Sequence, residues 1–168
     1  MEWLGLQFFA PHLDNGQQLL NSSHNPYLVF LAWLVAFTAC VATLNLLDRA
    51  ANAEKAGVVT LSSGLQYEVL QAGTGDKPTL NDTVVCHYHG QNLAGEVFDS
   101  SVERGEPATF RISRLIQGYQ IALPLMNVGS KWRLFVPSEL AYKDEHKSKQ
   151  ISANSTLVFE VELLEIVK

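Results

Sequence analysis

Residues 95–110 read GEVFDSSVERGEPATF. An aromatic ring and a carboxylate, Phe98-Asp99, stand beside a turn-rich segment that supplies Arg104. The pattern outward from this stretch is that of a small β-rich domain. Thr83 to His89 alternates, with Val84, Cys86 and Tyr88 on one face and Val85, His87 and His89 on the other. Leu65 to Leu70 and Lys131 to Val136 are strand-like. Thr156 to Val167 alternates over a long run, with Leu157, Phe159, Val161 and Leu163 inward and Glu160 and Glu162 outward. Gly73, Gly75, Gly90, Gly95 and Gly105 punctuate the turns. Ile116 to Met126 is the one helix-like piece of this part, kept short by Pro124 and Gly129. Several strands and one short helix predict an α+β domain, the helix covering one face of an antiparallel sheet.

The N-terminal part follows different rules. Tyr27 to Leu47, YLVFLAWLVAFTACVATLNLL, carries no charge over 21 residues. As a helix rising about 1.5 Å per residue it spans roughly 30 Å, the thickness of the hydrocarbon core. The division expected is an extramembrane segment 1–26, a transmembrane helix 27–47, a helical linker 48–60 and a globular domain 61–168. Three other readings of the apolar run are a buried helix of a soluble domain, a cleaved secretory signal and a lipoprotein signal. Against the first stands a run apolar on every face. Against the second stands the absence of a basic stretch before it. Against the third stands Phe37 at the first position of Phe37-Thr38-Ala39-Cys40. Arg49 and Lys55 follow the span and no Lys or Arg precedes it, which places the domain in the cytoplasm, with the periplasm as the alternative. DRAANAEKAG, 48–57, is rich in helix formers and Gly57 is its stop signal.

Charge excludes one class of partner. Of 12 basic and 17 acidic residues, only Glu2 and Asp14 fall before residue 48, and the remainder carries a net charge of −3. No basic face for nucleic acid is expected. Cys40 and Cys86 lie in different parts of the chain, which argues against a disulfide, and their spacing is not that of a zinc site. His87 and His89 share a strand face without an evident third ligand, so no metal is expected. His12 and His24 read as exposed polar residues near the span.

Six ordered segments carry a family resemblance: SGLQYEVL at 63–70, HYHG at 87–90, GEVFDSSVERGEPATF at 95–110, LIQGY at 115–119, VGSKWRLFVPSELAY at 128–142 and TLVFEVELLEI at 156–166. Together they resemble the FKBP-type peptidyl-prolyl cis/trans isomerases across residues 61–168. The lead-in AANAEKAGVVTLSSGLQYEVL is similar to the macrophage-infectivity-potentiator subgroup of bacteria, with a membrane helix where that subgroup has a helical dimerisation region. Residues 23–49 are also similar to the first helix of the MHYT family of bacterial membrane sensors. That likeness covers one helix without the family's M-H-Y-T tetrad, and it implies an inner-membrane setting and no sensing function.

The isomerase resemblance implies an antiparallel half-barrel of five or six strands wrapped around the short helix. It also implies a reaction without metal, nucleophile or cofactor. Tyr88, Phe98, Tyr119 and Phe159 would form the aromatic lining of a pocket, and Leu115, Ile116 and Ile151 its aliphatic walls. Asp99 and Tyr142 would be its polar groups, with Arg104 pairing with Asp99. The substrates implied are proline-containing polypeptides, and macrolide inhibitors are implied ligands. Two departures bear on this. Tyr119 stands where the family usually has Trp, which would weaken macrolide binding. The segment from Lys143 to Asn154, KDEHKSKQISAN, lacks the family's glycines and Ile-Pro-Pro, so its backbone is expected to differ. The two functions that follow are a membrane-anchored isomerase and, alternatively, a catalytically weak binding or chaperone module. A third reading makes the domain an appendage of a larger sensor complex.

Overall fold

A computed structural model of the chain describes residues 49–167, together with residues 27, 30 and 31. Segment 1–26 and nearly all of the expected span 27–47 lie outside the described residues. Tyr27, Phe30 and Leu31 are helical and exposed, at 78%, 66% and 53%. Among the described residues no helix is long and apolar enough to cross a membrane.

The elements of the domain, in chain order, are β1 (Val58–Thr60), β2 (Gln66–Gln71), β3 (Thr83–Asn92), β4 (Val97–Ser100), α1 (Ser101–Arg104), β5 (Ala108–Arg111), α2 (Gln117–Ala122), β6 (Lys131–Val136) and β7 (Leu157–Val167). The strands form one sheet in the order β1-β2-β6-β7-β3-β4, with β5 also pairing β3, and every pairing is antiparallel. The count is seven strands, above the five or six implied by resemblance. Residues 58–60 add a strand at one edge, and the 95–110 stretch supplies two short strands.

Alternation sets which side chains enter the core. Val84, Cys86 and Tyr88 of β3, Trp132, Leu134 and Val136 of β6, and Leu157, Phe159, Val161 and Leu163 of β7 are buried together. Burial pushes the Cys86 thiol up to about 11. The opposite face of the sheet is polar. There Arg133 bridges Glu160 at 2.8 Å and Glu68 at 3.1 Å, each its register partner on a neighbouring strand.

The helix α2 lies against the buried face, with Gly118, Tyr119 and Ala122 buried. It approaches closely because residue 118 has no side chain: a Cβ there would stand 2.5 Å from Cγ1 of Val136. Pro124 fits in the 3-10 turn Leu123–Leu125 that ends this piece.

Residues 49–53 are helical and tied to the domain. Buried Asn52 donates to Gln66 Oε1 at 3.1 Å, and Gln66 Nε2 donates to the Arg49 carbonyl at 2.9 Å and to Thr60 Oγ1 at 3.1 Å. Gly57 takes φ 89°, the left-handed turn that ends the segment before β1.

Candidate active site

One edge of β3 is shared by two partners. β4 pairs with His89 to Gln91, and β5 pairs with Thr83 to Cys86. Between them the chain leaves the sheet as the single turn α1. Ser100 starts that turn, accepting the Glu103 N–H at 3.2 Å, and Gly105 ends it at φ 75°. The excursion leaves the backbone of Tyr88 without a strand partner on this side. The Ser101 hydroxyl fills the gap. It accepts the Tyr88 N–H at 2.8 Å and donates to the Tyr88 carbonyl at 3.2 Å. A fully buried serine thus replaces a stretch of strand.

The same excursion carries Arg104 back over β3. Arg104 reaches Asp99 Oδ1 at 2.5 Å and the Tyr88 hydroxyl at 2.7 Å, and that hydroxyl donates to Asp99 Oδ2 at 2.6 Å. The three side chains close a triangle. Burial pushes the Asp99 carboxyl upward, but the Tyr88 and Arg104 hydrogen bonds outweigh it and hold the group below its ordinary value. Burial and the Asp99 hydrogen bond raise the Tyr88 phenol, so it remains a donor. Both carboxylate oxygens are engaged, which leaves Asp99 poorly placed to act as a base.

Beside the triangle opens a cavity of about 420 Å³. It is lined by Tyr88, Phe98, Asp99, Phe110, Leu115, Ile116, Tyr119, Tyr142, Lys147, Ser148, Ile151 and Phe159. Nine of the ten candidates from the sequence line it, and Arg104, the tenth, braces Asp99. Phe159 is central: Phe98 meets it edge-on at 5.5 Å between centroids, and Tyr119 does so at 5.1 Å. Gly90 makes room for this cluster, since a Cβ there would stand 2.8 Å from Phe98 and 2.9 Å from Phe159. Burial pushes the Tyr119 phenol well above its usual value. Among the described residues no acceptor meets the Ile116 backbone N–H at the start of α2, and no partner meets the Tyr142 hydroxyl.

Four contributors were not singled out from sequence. Phe110 is tilted against Tyr88 at 5.6 Å, and the four residues of β5 are too few to mark it by alternation. Ser101 had no local signal, because its role depends on a gap between two strands. Lys147 and Ser148 sit in the 143–154 segment, whose course follows from tertiary contacts. In that segment Lys143 takes φ 56° and Asn154 φ 59°, and the Asn154 N–H donates to the Lys143 carbonyl at 2.8 Å. Ile151 folds back against Ser148 and is buried. His87 and His89 face the hydroxyls of Ser101 and Ser100 at 3.1 and 3.0 Å.

An antiparallel sheet closed over one short helix, with an aromatic cavity between them, defines a fold of known relatives. The chain belongs to the FKBP-type peptidyl-prolyl cis-trans isomerase family, whose profile matches residues 75–164. It is 48% identical over 118 residues to the peptidyl-prolyl cis-trans isomerase Mip of Coxiella burnetii, covering 70% of this chain and 51% of that one. It is 47% identical over 118 residues to the outer membrane protein MIP of Legionella longbeachae, again covering 70% and 51%. The chain thus spans about half the length of these curated relatives. Its structure is similar to that of a peptidyl-prolyl cis-trans isomerase from Pseudomonas syringae, with a TM-score of 0.73 and 35% identity, over 78% of this chain and 96% of that one.

Proposed function

We propose that this protein is a membrane-anchored peptidyl-prolyl cis/trans isomerase acting on proline-containing polypeptides. The observation that carries the reading is the cavity itself, lined largely by aromatic and aliphatic side chains. The X-Pro barrier is about 18–20 kcal/mol because the C–N bond has partial double-bond character. The two ground states differ by only about 0.5–1 kcal/mol, so a catalyst need only stabilise the twisted amide. Twisting removes the amide's resonance and its charge separation. A cavity walled by Phe98, Tyr119, Ile151 and Phe159 favours that less polar state over the planar one. The Ile116 N–H and the Tyr142 hydroxyl hold the flanking carbonyls, and the Asp99–Tyr88–Arg104 triangle keeps its charges at the edge. Complementarity to the transition state then suffices, without proton transfer.

The test is the isomerisation rate of an acetylated proline tetrapeptide with the full chain in mild detergent. The expected result is acceleration that falls at least tenfold in Phe159→Ala, with the fold retained by circular dichroism. An uncatalysed rate would overturn the reading. The departure of residues 143–154 from the family's sequence favours the alternative of a binding or chaperone module, which would show client binding undiminished by Tyr142→Phe and Asp99→Leu. Macrolide binding belongs to the same proposal, weakened by the smaller Tyr119 ring.

The anchor rests on the charge-free run 27–47 and on the exposure of Tyr27, Phe30 and Leu31. It predicts a chain that stays with membranes in alkaline carbonate and leaves them in detergent. Arg49 and Lys55 favour a cytoplasmic domain in an inner membrane. The outer-membrane name of the Legionella relative gives reason to test the periplasmic side. A reporter fused to the C-terminus separates the two.

A further inference from the structure

Two side chains lining the cavity carry a full charge, Asp99 and Lys147. They are neutralised in different ways. Asp99 is enclosed by Arg104 and Tyr88, with both oxygens engaged. Lys147 holds its ammonium 5.6 Å from the Tyr142 ring centroid. Its one ion-pair partner among the described residues is Glu145, two residues away, which does not line the cavity. The Lys147 and Glu145 side chains are 45% and 64% exposed, so water screens the pair and little holds it together. Lys143 and Lys149 flank it in the same segment, where Asp144 and Glu145 are the acids. The rim therefore presents a cation with a displaceable counter-ion over the ring of Tyr142.

We infer that Lys147 is a specificity-determining residue that selects clients with an acidic side chain flanking the proline. A client carboxylate takes the place that Glu145 holds in the free protein. Glu145 then acts as a competitor that moderates the preference. The inference rests on the isomerase reading, and it deepens that reading by naming the substrate class.

The experiment measures the exchange of neutral-capped peptides by NMR, using the full chain in uncharged detergent. The peptides carry Glu, Gln or Lys on either side of the proline. At low salt the Glu peptide is expected to be turned over about two- to fivefold faster than the Gln peptide on at least one side, the range of an exposed ion pair. The ratio falls toward one in 0.5 M salt. It falls to about one in Lys147→Gln, inverts in favour of the Lys peptide in Lys147→Glu, and widens in Glu145→Gln. A wild-type ratio of one on both sides, or a ratio unchanged in Lys147→Gln, overturns the inference while acceleration of the Gln peptide leaves the isomerase reading standing. If no peptide is accelerated, the isomerase reading fails. Affinities from shift titration then decide the inference on the same ratios.

Discussion

Ser101 is placed to saturate two backbone groups of Tyr88 at once. Its removal in Ser101→Ala leaves a buried N–H and a buried carbonyl without partners. The expected cost is about 1–3 kcal/mol in urea unfolding. Isomerase activity should fall as well, because Tyr88 anchors the Asp99–Arg104 triangle. Asp99 gives a pH signature. Its folded pKa lies below its unfolded value, so its stabilisation is complete above the unfolded value of about 3.9 and lost as pH falls through the folded one. The Asp99 side chain is 44% exposed and Arg104 51%, so screening limits the effect to about 1 kcal/mol or less. Urea midpoints of wild type and Asp99→Asn are therefore expected to differ at pH 6, and the difference to shrink as the pH falls below the unfolded value. Phe98, Asp99 and Arg104 were legible because one short segment that resembles the family carries all three. Ser101 was not, since nothing local says that β4 and β5 leave Tyr88 uncovered.

At the scale of elements, the seat of α2 on β6 controls the cavity floor. Gly118 faces Val136, and Tyr119, the next residue, forms the floor beside Phe159. Gly118→Ala places a methyl where Val136 already stands. The helix must lift or Val136 must move, at an expected cost of about 1–3 kcal/mol in chemical denaturation. Weaker binding of proline peptides should accompany it, because the displaced helix carries both Tyr119 and the Ile116 N–H. The strand periodicities of β3, β6 and β7 were readable as period-two alternation, and so was the short helix. The splitting of the 95–110 stretch into β4, α1 and β5 was not. Four-residue strands are too short to show a period, and only their common partner β3 defines them.

At the scale of the whole molecule, residues 49–60 are bound into the domain. Gln66 links Asn52, Arg49 and Thr60, while Asn52 Oδ1 is buried with no partner among the described residues. Gln66→Ala removes the shared partner and leaves the Asn52 amide without a partner among the described residues. Trypsin should then cut at Arg49 and Lys55 about tenfold faster, the effect of roughly 1.4 kcal/mol of lost local stability. Mass spectrometry of a time course reads both sites. A rate equal to that of wild type would show that the segment is held by other contacts.

The α+β class and the inward faces of the long strands were legible in the sequence, because they are written in periodicity, which does not depend on distant neighbours. The aromatic and acidic residues of the cavity came from the family resemblance, since periodicity alone reads them equally as core. The charge-free run 27–47 is equally a property of sequence. Tertiary structure decided how the residues cooperate. Tyr88, Asp99 and Arg104 close a triangle because α1 leaves the sheet and returns. Ser101 becomes a strand substitute, Gln66 ties a linker down, and Lys147 comes over Tyr142. Each of these depends on contacts between residues distant in sequence or on the course of a folded segment. Local composition cannot specify such contacts.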